Sequence, residues 1–89
     1  MLKINLKEFK YKESFKSDSY ITSDVREQFA DLIYKNANGI RALKLAERIY
    51  ESDGEIELDN EDEIIFISVV NELCTAQVVD SVNSIIDAK

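Results

Sequence analysis

Residues 55–64 have the sequence Glu-Ile-Glu-Leu-Asp-Asn-Glu-Asp-Glu-Ile. Ile56 and Leu58 alternate with glutamates, which predicts a short strand or an extended arm that lays its apolar side chains on the core. Asp59 then has the character of a helix N-cap, and Asp62 is its partner in a weak capping box. Acidic side chains in the first turn also favour a helix start. The stretch therefore predicts a change from extended chain to helix at Asp59.

Two helices are predicted after this cap. Residues 64–73 are apolar almost all round, so we expect them to form the buried helix. A break near Cys74 and Thr75 precedes a further helix, and its apolar side chains are Val78, Val79, Val82, Ile85 and Ile86. Because β-branched residues have a low helix propensity, this last helix must be held by packing.

Two more helices are predicted before residue 55. Thr22 or Ser23 is a suitable cap for the first, and residues 36–39, Asn-Ala-Asn-Gly, mark its end. The second runs from about residue 40 to residue 51 and is followed by Gly54, a residue typical of a helix end. Its broad apolar face consists of Ile40, Ala42, Leu43, Leu45, Ala46, Ile49 and Tyr50, and its charged stripe of Arg41, Lys44, Glu47, Arg48 and Glu51.

The N-terminal segment, residues 1–20, is predicted to be extended. Leu2, Ile4 and Leu6 alternate with polar residues, and the alternation resumes out of phase at Phe9, which indicates a bulge or tight turn at residues 7–8. Residues 14–20 are predicted to be a loop. We therefore expect one domain, residues 1–89, of the mainly α (α+β) class: an N-terminal extended segment or β-hairpin over residues 1–20, then a bundle of about four helices over residues 22–89.

The composition argues against an enzyme. The chain has no histidine, so the usual general base near neutral pH is missing. Its one cysteine, Cys74, lies in an apolar stretch and is expected to be a small buried hydrophobe rather than a nucleophile. Gly39 and Gly54 stand alone, so no glycine-rich loop is present to cradle a phosphate. We expect no catalytic residue and no cofactor.

A metal site is also not expected. One cysteine and no histidine do not provide the usual zinc ligands. A calcium loop that begins at Asp53 would require glycine at the sixth position and glutamate at the twelfth, where this chain has Leu58 and Ile64. The acidic residues of this region are better explained as a solvated linker and a helix start.

The charges are divided unequally along the chain. Residues 1–50 hold ten lysines and arginines against seven acidic residues, whereas residues 51–89 hold one lysine and eleven acidic residues. Eight of these acidic residues form an acidic run: Glu51, Asp53, Glu55, Glu57, Asp59, Glu61, Asp62 and Glu63. One interpretation is that the run binds a basic protein, by mimicry of nucleic-acid phosphates. The other is that it solvates a linker and favours a helix start.

The N-terminal lysines allow a different partner. Lys3, Lys7, Lys10, Lys12 and Lys16 are interleaved with Tyr11 and Phe15, a pattern found in single-strand binders. Lysines on an exposed strand also protect a sheet edge from pairing. The net charge of −7 disfavours nucleic acid as the partner. The opposite charges of the two halves permit self-association.

The middle of the chain resembles small proteins encoded by phages and prophages. The resemblance is carried by residues 39–50, Gly-Ile-Arg-Ala-Leu-Lys-Leu-Ala-Glu-Arg-Ile-Tyr, and by residues 56–62, Ile-Glu-Leu-Asp-Asn-Glu-Asp. Residues 77–80 and the opening residues 2–6 are similar too, so the resemblance covers about half the chain. It implies a phage or prophage setting, and no functional residues can be transferred from it.

We therefore expect a non-enzymatic protein that acts by protein–protein interaction, in particle assembly or in host takeover. One alternative is an acidic inhibitor that blocks a host nucleic-acid-binding or defence protein, and another is a structural homo-oligomer. No apolar run is long enough to cross a bilayer and the N-terminus lacks the apolar region of a signal peptide. The expected location is the cytoplasm, that of the bacterial host if the protein is phage-encoded, with no membrane partner.

Overall fold

The computed structural model describes residues 2–16 and 18–87. Its elements in chain order are β1 (Leu2–Asn5), β2 (Phe9–Lys12), β3 (Tyr20–Ser23), α1 (Arg26–Asn36), α2 (Ile40–Glu51), β4 (Glu55–Leu58), α3 (Asn60–Leu73) and α4 (Ala76–Asp87). The predicted α+β class is confirmed. Residues 1 and 17, which belong to the predicted extended segment and loop, lie outside the described residues, as do residues 88 and 89.

The four strands form two separate antiparallel pairs. β1 pairs with β4, so that Leu2 lies opposite Leu58 and Lys3 opposite Glu57, and β2 pairs with β3. The predicted turn after β1 is present, because the side-chain Oδ1 of Asn5 accepts hydrogen bonds from the N–H groups of residues 7 and 8. This turn does not join a hairpin of β1 and β2. The turn directs β2 away from β1. Strand β1 pairs instead with β4, in which glutamates alternate with Ile56 and Leu58.

The predicted loop is found at residues 14–16, 18 and 19, but Tyr20 belongs to a strand, and the predicted helix start at Thr22 or Ser23 is wrong. Tyr20–Ser23 is a strand, in which β-branched and aromatic side chains pair with β2, and the N–H of Glu13 donates to the carbonyl of Ser19 inside the hairpin. Helix α1 begins at Arg26 instead. Neither Thr22 nor Ser23 caps this helix, because both belong to β3. Asp24 holds the chain before the helix by accepting a hydrogen bond from the N–H of Arg26 at 3.1 Å.

The later helices begin and end close to their predicted positions. α2 spans Ile40–Glu51 and is preceded by Gly39, whose φ of 96° is accessible to glycine at little cost. α3 is capped by Asp59, whose Oδ1 accepts from the N–H of Asp62 at 3.0 Å. The break at residues 74–75 separates α3 from α4. The capping residues and the helical periodicity of residues 40–73 were sufficient to find these elements.

The core is centred on a row of three phenylalanines. The ring of Phe66 on α3 stacks on that of Phe29 on α1, with 5.3 Å between ring centroids, and Phe29 meets Phe9 on β2 edge to face at 5.8 Å. Helix α3 packs against α1, α2 and α4, and it carries the buried side chains of Val69 and Val70 as well. It does not bury its whole circumference, because Ile64 is 65% exposed. Helix α3 therefore packs against all three other helices with only part of its circumference buried.

Replacement of Phe66 by alanine is expected to lower the free energy of unfolding by about 3–5 kcal/mol, because it opens a cavity in a fully buried site. The matched control is Ile64→Ala on the exposed side of the same helix, with an expected loss below about 1 kcal/mol. Urea unfolding followed by circular dichroism measures both. Equal losses would show that α3 does not have the buried face described here.

Candidate protein-binding surface

The acidic run occupies four consecutive parts of the fold. Glu51 ends α2, Asp53 lies in the connection that follows, and Glu55 and Glu57 lie on β4. The remaining acids of the run are at the start of α3: Asp59, Glu61, Asp62 and Glu63. The structure brings Asp59, Glu61 and Asp62 against arginines of α2, whereas the first four side chains are exposed.

Asp62 is the buried member of the run. Its side chain is 7% exposed, and its two carboxylate oxygens accept from the Nε of Arg41 at 3.1 Å and from the Nη1 of Arg48 at 2.8 Å. Arg48 also donates through Nη2 to the carbonyl of Glu57 at 2.6 Å. A buried carboxylate is tolerated only when it is paired and hydrogen-bonded. Asp62 therefore attaches α3 to α2 and, through Arg48, to β4.

Asp59 and Glu61 extend this network towards solvent. Arg41 pairs with Asp59 at 2.5 Å and with Glu61 at 3.0 Å. The N–H of Asp62 and, next, the guanidinium of Arg41 hold the pKa of Asp59 below its ordinary value, and Asp59 in turn raises the pKa of Arg41. Three of the eight predicted site residues thus have their charge compensated within the chain.

The other carboxylates of the run are placed differently. Among the described residues, Glu51, Asp53, Glu55 and Glu57 make no ion pair within 4.0 Å, whereas Glu63 is half-buried. Lys3 lies opposite Glu57 in the β1–β4 register, which places unlike charges side by side on that pair of strands. The negative surface of the run is therefore smaller than the sequence suggests.

A second acidic surface lies between α1 and α2, and its centre is apolar. Ala30 and Ala46 form the floor of a groove of about 400 Å³, and Tyr34, Leu43 and Tyr50 line it. The last three side chains are 65%, 40% and 59% exposed. Because the two floor residues are small, they leave a depression between the helices. We call this feature, together with its acidic rims, the α1–α2 groove.

Carboxylates border the α1–α2 groove on both helices. Glu27 and Asp31 belong to α1, and Glu47 and Glu51 to α2. All four are exposed, and Glu47 makes a long contact of 3.8 Å with Lys44. Glu51 is the one residue that the groove shares with the acidic run. The groove thus combines exposed apolar area with negative charge, which the rest of the run does not.

The groove was missed in the sequence, although both helices carry its signal. Residues 27, 30, 31 and 34 and residues 43, 46, 47 and 50 repeat the same i, i+3, i+4, i+7 spacing, which places each set on one helix face. The predicted apolar face of α2 was also too broad to be one buried face. The structure divides it, because Leu45 and Ile49 are buried whereas Leu43 and Tyr50 are exposed.

Other candidate sites offer little chemistry. Burial raises the pKa of the Cys74 thiol, which disfavours the reactive thiolate. Within residues 2–16 and 18–87, no group of three or more acidic or cysteine side chains is arranged to hold a metal ion. No helix in the described part of the chain is long and apolar enough to span a bilayer.

Comparison of the chain with protein-family models, curated proteins and solved structures found no match.

The variant Asp59→Asn is expected to make stability less dependent on pH. The pKa of Asp59 is lower in the folded protein than in the unfolded chain. The stability it adds is thus fully present above about pH 4 and is lost as the pH falls through the lower folded value. Asparagine keeps the N-cap hydrogen bond but cannot titrate. Urea midpoints should therefore fall less between about pH 6 and pH 3 in the variant than in the wild type. Equal falls would contradict the described role of Asp59.

Proposed function

We propose that this chain is a non-enzymatic protein of phage or prophage origin, which acts in assembly or host takeover by binding a basic protein segment in the α1–α2 groove. The observation that carries the proposal is that exposed Tyr34, Leu43 and Tyr50 lie between two rows of carboxylates. Exposed apolar patches with polar rims are typical of protein-binding surfaces. The resemblance of residues 39–50 and 56–62 to phage and prophage proteins supports the setting.

The groove supports binding better than the acidic run does. In the run, Arg41 and Arg48 already occupy the carboxylates of Asp59 and Asp62. A partner would have to displace these contacts, at a cost to the fold. At the groove no such displacement is needed, because the apolar side chains are open to solvent and Lys44 makes the only contact to a rim carboxylate among the described ion pairs.

The groove also indicates the chemistry of its partner. Apolar side chains of the partner would cover the floor at Ala30 and Ala46, while its lysines or arginines would meet the carboxylates on either side. The exposed rings of Tyr34 and Tyr50 are suited to contact such cations as well. Negative potential over the groove would speed the encounter with a basic partner and weaken with added salt.

An acidic inhibitor that mimics nucleic acid is the second candidate. Its support is the set of exposed carboxylates from Glu51 to Glu57, which lie on consecutive segments of the surface. Unlike the rim of the groove, these carboxylates do not border an exposed apolar patch. Lys3 also lies opposite Glu57 on the neighbouring strand. The two candidates use different residues, so variants can separate them.

A synthetic helix of about 18 residues, with leucines on one face and lysines on the other, is the probe for the groove. The variant Asp31→Asn/Leu43→Ser/Glu47→Gln is expected to bind this peptide at least about tenfold more weakly than the wild type, because it removes apolar contact and two charges. Isothermal titration calorimetry at low salt measures the dissociation constants.

The matched control is Glu55→Gln/Glu57→Gln, which removes the same number of carboxylates from the acidic run. We expect its dissociation constant to stay within about twofold of the wild type. If the control weakens binding and the groove variant does not, the acidic run is the binding surface and the groove proposal is wrong.

A further inference from the structure

The β2–β3 hairpin carries another surface with exposed aromatic side chains. Phe15 in its turn is 88% exposed, and Tyr20 is 60% exposed. Lys12 lies directly opposite Tyr20 in the register, so the two side chains share one face of the hairpin. Lys10 lies on the same face, two residues before Lys12. We call these residues, together with Lys16, the hairpin surface.

Two hydrogen bonds hold the hairpin in place outside its strand ladder. The N–H of Glu13 donates to the carbonyl of Ser19 at 3.0 Å, which closes the strands below the turn. The side-chain amide of Gln77 on α4 donates to the carbonyl of Lys12, which fixes the hairpin to the helix. A hairpin held by such hydrogen bonds loses less conformational entropy on docking than a free segment would.

The hairpin surface is complementary to the α1–α2 groove in both charge and apolar character. The hairpin, residues 9–23, carries three lysines against the two acids Glu13 and Asp18, and the groove is bordered by four carboxylates. Phe15 is an exposed ring at the hairpin end, while the groove has a depression above Ala30 and Ala46. A groove of about 400 Å³ is within the size range of sites that accept one compact group.

The two surfaces belong to different elements of the same chain. The groove is lined by residues of α1 and α2, whereas the hairpin packs against α4. Because no groove-lining residue comes from the hairpin, the chain does not fill its own groove in this structure. The complementary hairpin must therefore come from another molecule.

We infer that the α1–α2 groove receives the β2–β3 hairpin of a second copy of this chain, with Phe15 over the alanine floor and the lysines against the rim carboxylates. The inference rests on the proposed function of the groove and names its partner. Such a contact joins two different surfaces, so it generates a ring or an open chain of copies. The protein would then act as a self-assembling subunit.

Sedimentation velocity over about 10 µM to 1 mM protein at low salt tests the inference. The wild type is expected to increase in mass with concentration. The hairpin variant Phe15→Ser/Lys16→Gln and the groove variant Leu43→Ser/Glu47→Gln are each expected to remain monomeric over this range. All four substitutions are at exposed positions, and circular dichroism confirms that each variant is folded.

The decisive sample is an equimolar mixture of the two variants. The groove variant keeps an intact hairpin, and the hairpin variant keeps an intact groove, so one contact is restored. The mixture should form a 1:1 heterodimer and nothing larger. A mixture that remains monomeric while the wild type associates would overturn the inference, because the intact hairpin and the intact groove would then not bind each other. Single variants that associate as the wild type does would also overturn it, because the copies would then meet through other surfaces, such as the open edge of β3.

A wild type that is monomeric at every concentration would also overturn it. Titration of the same wild-type sample with the leucine–lysine peptide then separates the two proposals. Binding of the peptide at the groove leaves the proposed function in place and rejects only the second copy as partner. Absence of binding rejects both.

Discussion

The buried carboxylate of Asp62 is the interaction on which the rest of the fold depends. It receives Arg41 and Arg48, which lie about two turns apart on α2, and Arg48 continues to the backbone of β4. Helix α3, which carries Phe66 into the core, is thereby fixed at its first turn. A buried charge that loses a partner destabilises the fold. These contacts therefore favour one arrangement of α2, α3 and β4 over others more strongly than apolar packing alone would. The groove on the far side of α2 is positioned as a consequence.

Local rules predicted the elements whose signals are local. The cap at Asp59, the stop at residues 36–39 and the alternation of residues 55–58 were sufficient for α2, β4 and α3. The pairing of β1 with β4 was not predicted, because strand partners fifty residues apart are chosen by tertiary packing. Strand β3 was missed because residues 14–20 are rich in serine, and its β-forming residues begin only at Tyr20.

The site shows the same division between local and tertiary information. The acidic run was recognisable by composition, but nothing in the sequence indicated that Arg41 and Arg48 would meet Asp59 and Asp62. Charge counted along a chain overstates the charge presented at the surface when cations from another element compensate it. The groove was not predicted, although the matched spacing on α1 and α2 places its lining residues on one face of each helix. The broad apolar face of α2 is divided between the buried core and this groove.

Chemical-shift mapping is the most direct test of the claim that this protein recognises partners through the α1–α2 groove, while the start of the acidic run on α3 serves the fold. Amide spectra of the labelled protein would be recorded during titration with a basic amphipathic helix. The account predicts that shifts concentrate in residues 27–34 and 43–51 and leave residues 59–62 unmoved. Shifts concentrated in residues 53–63, with the groove amides unmoved, would contradict it.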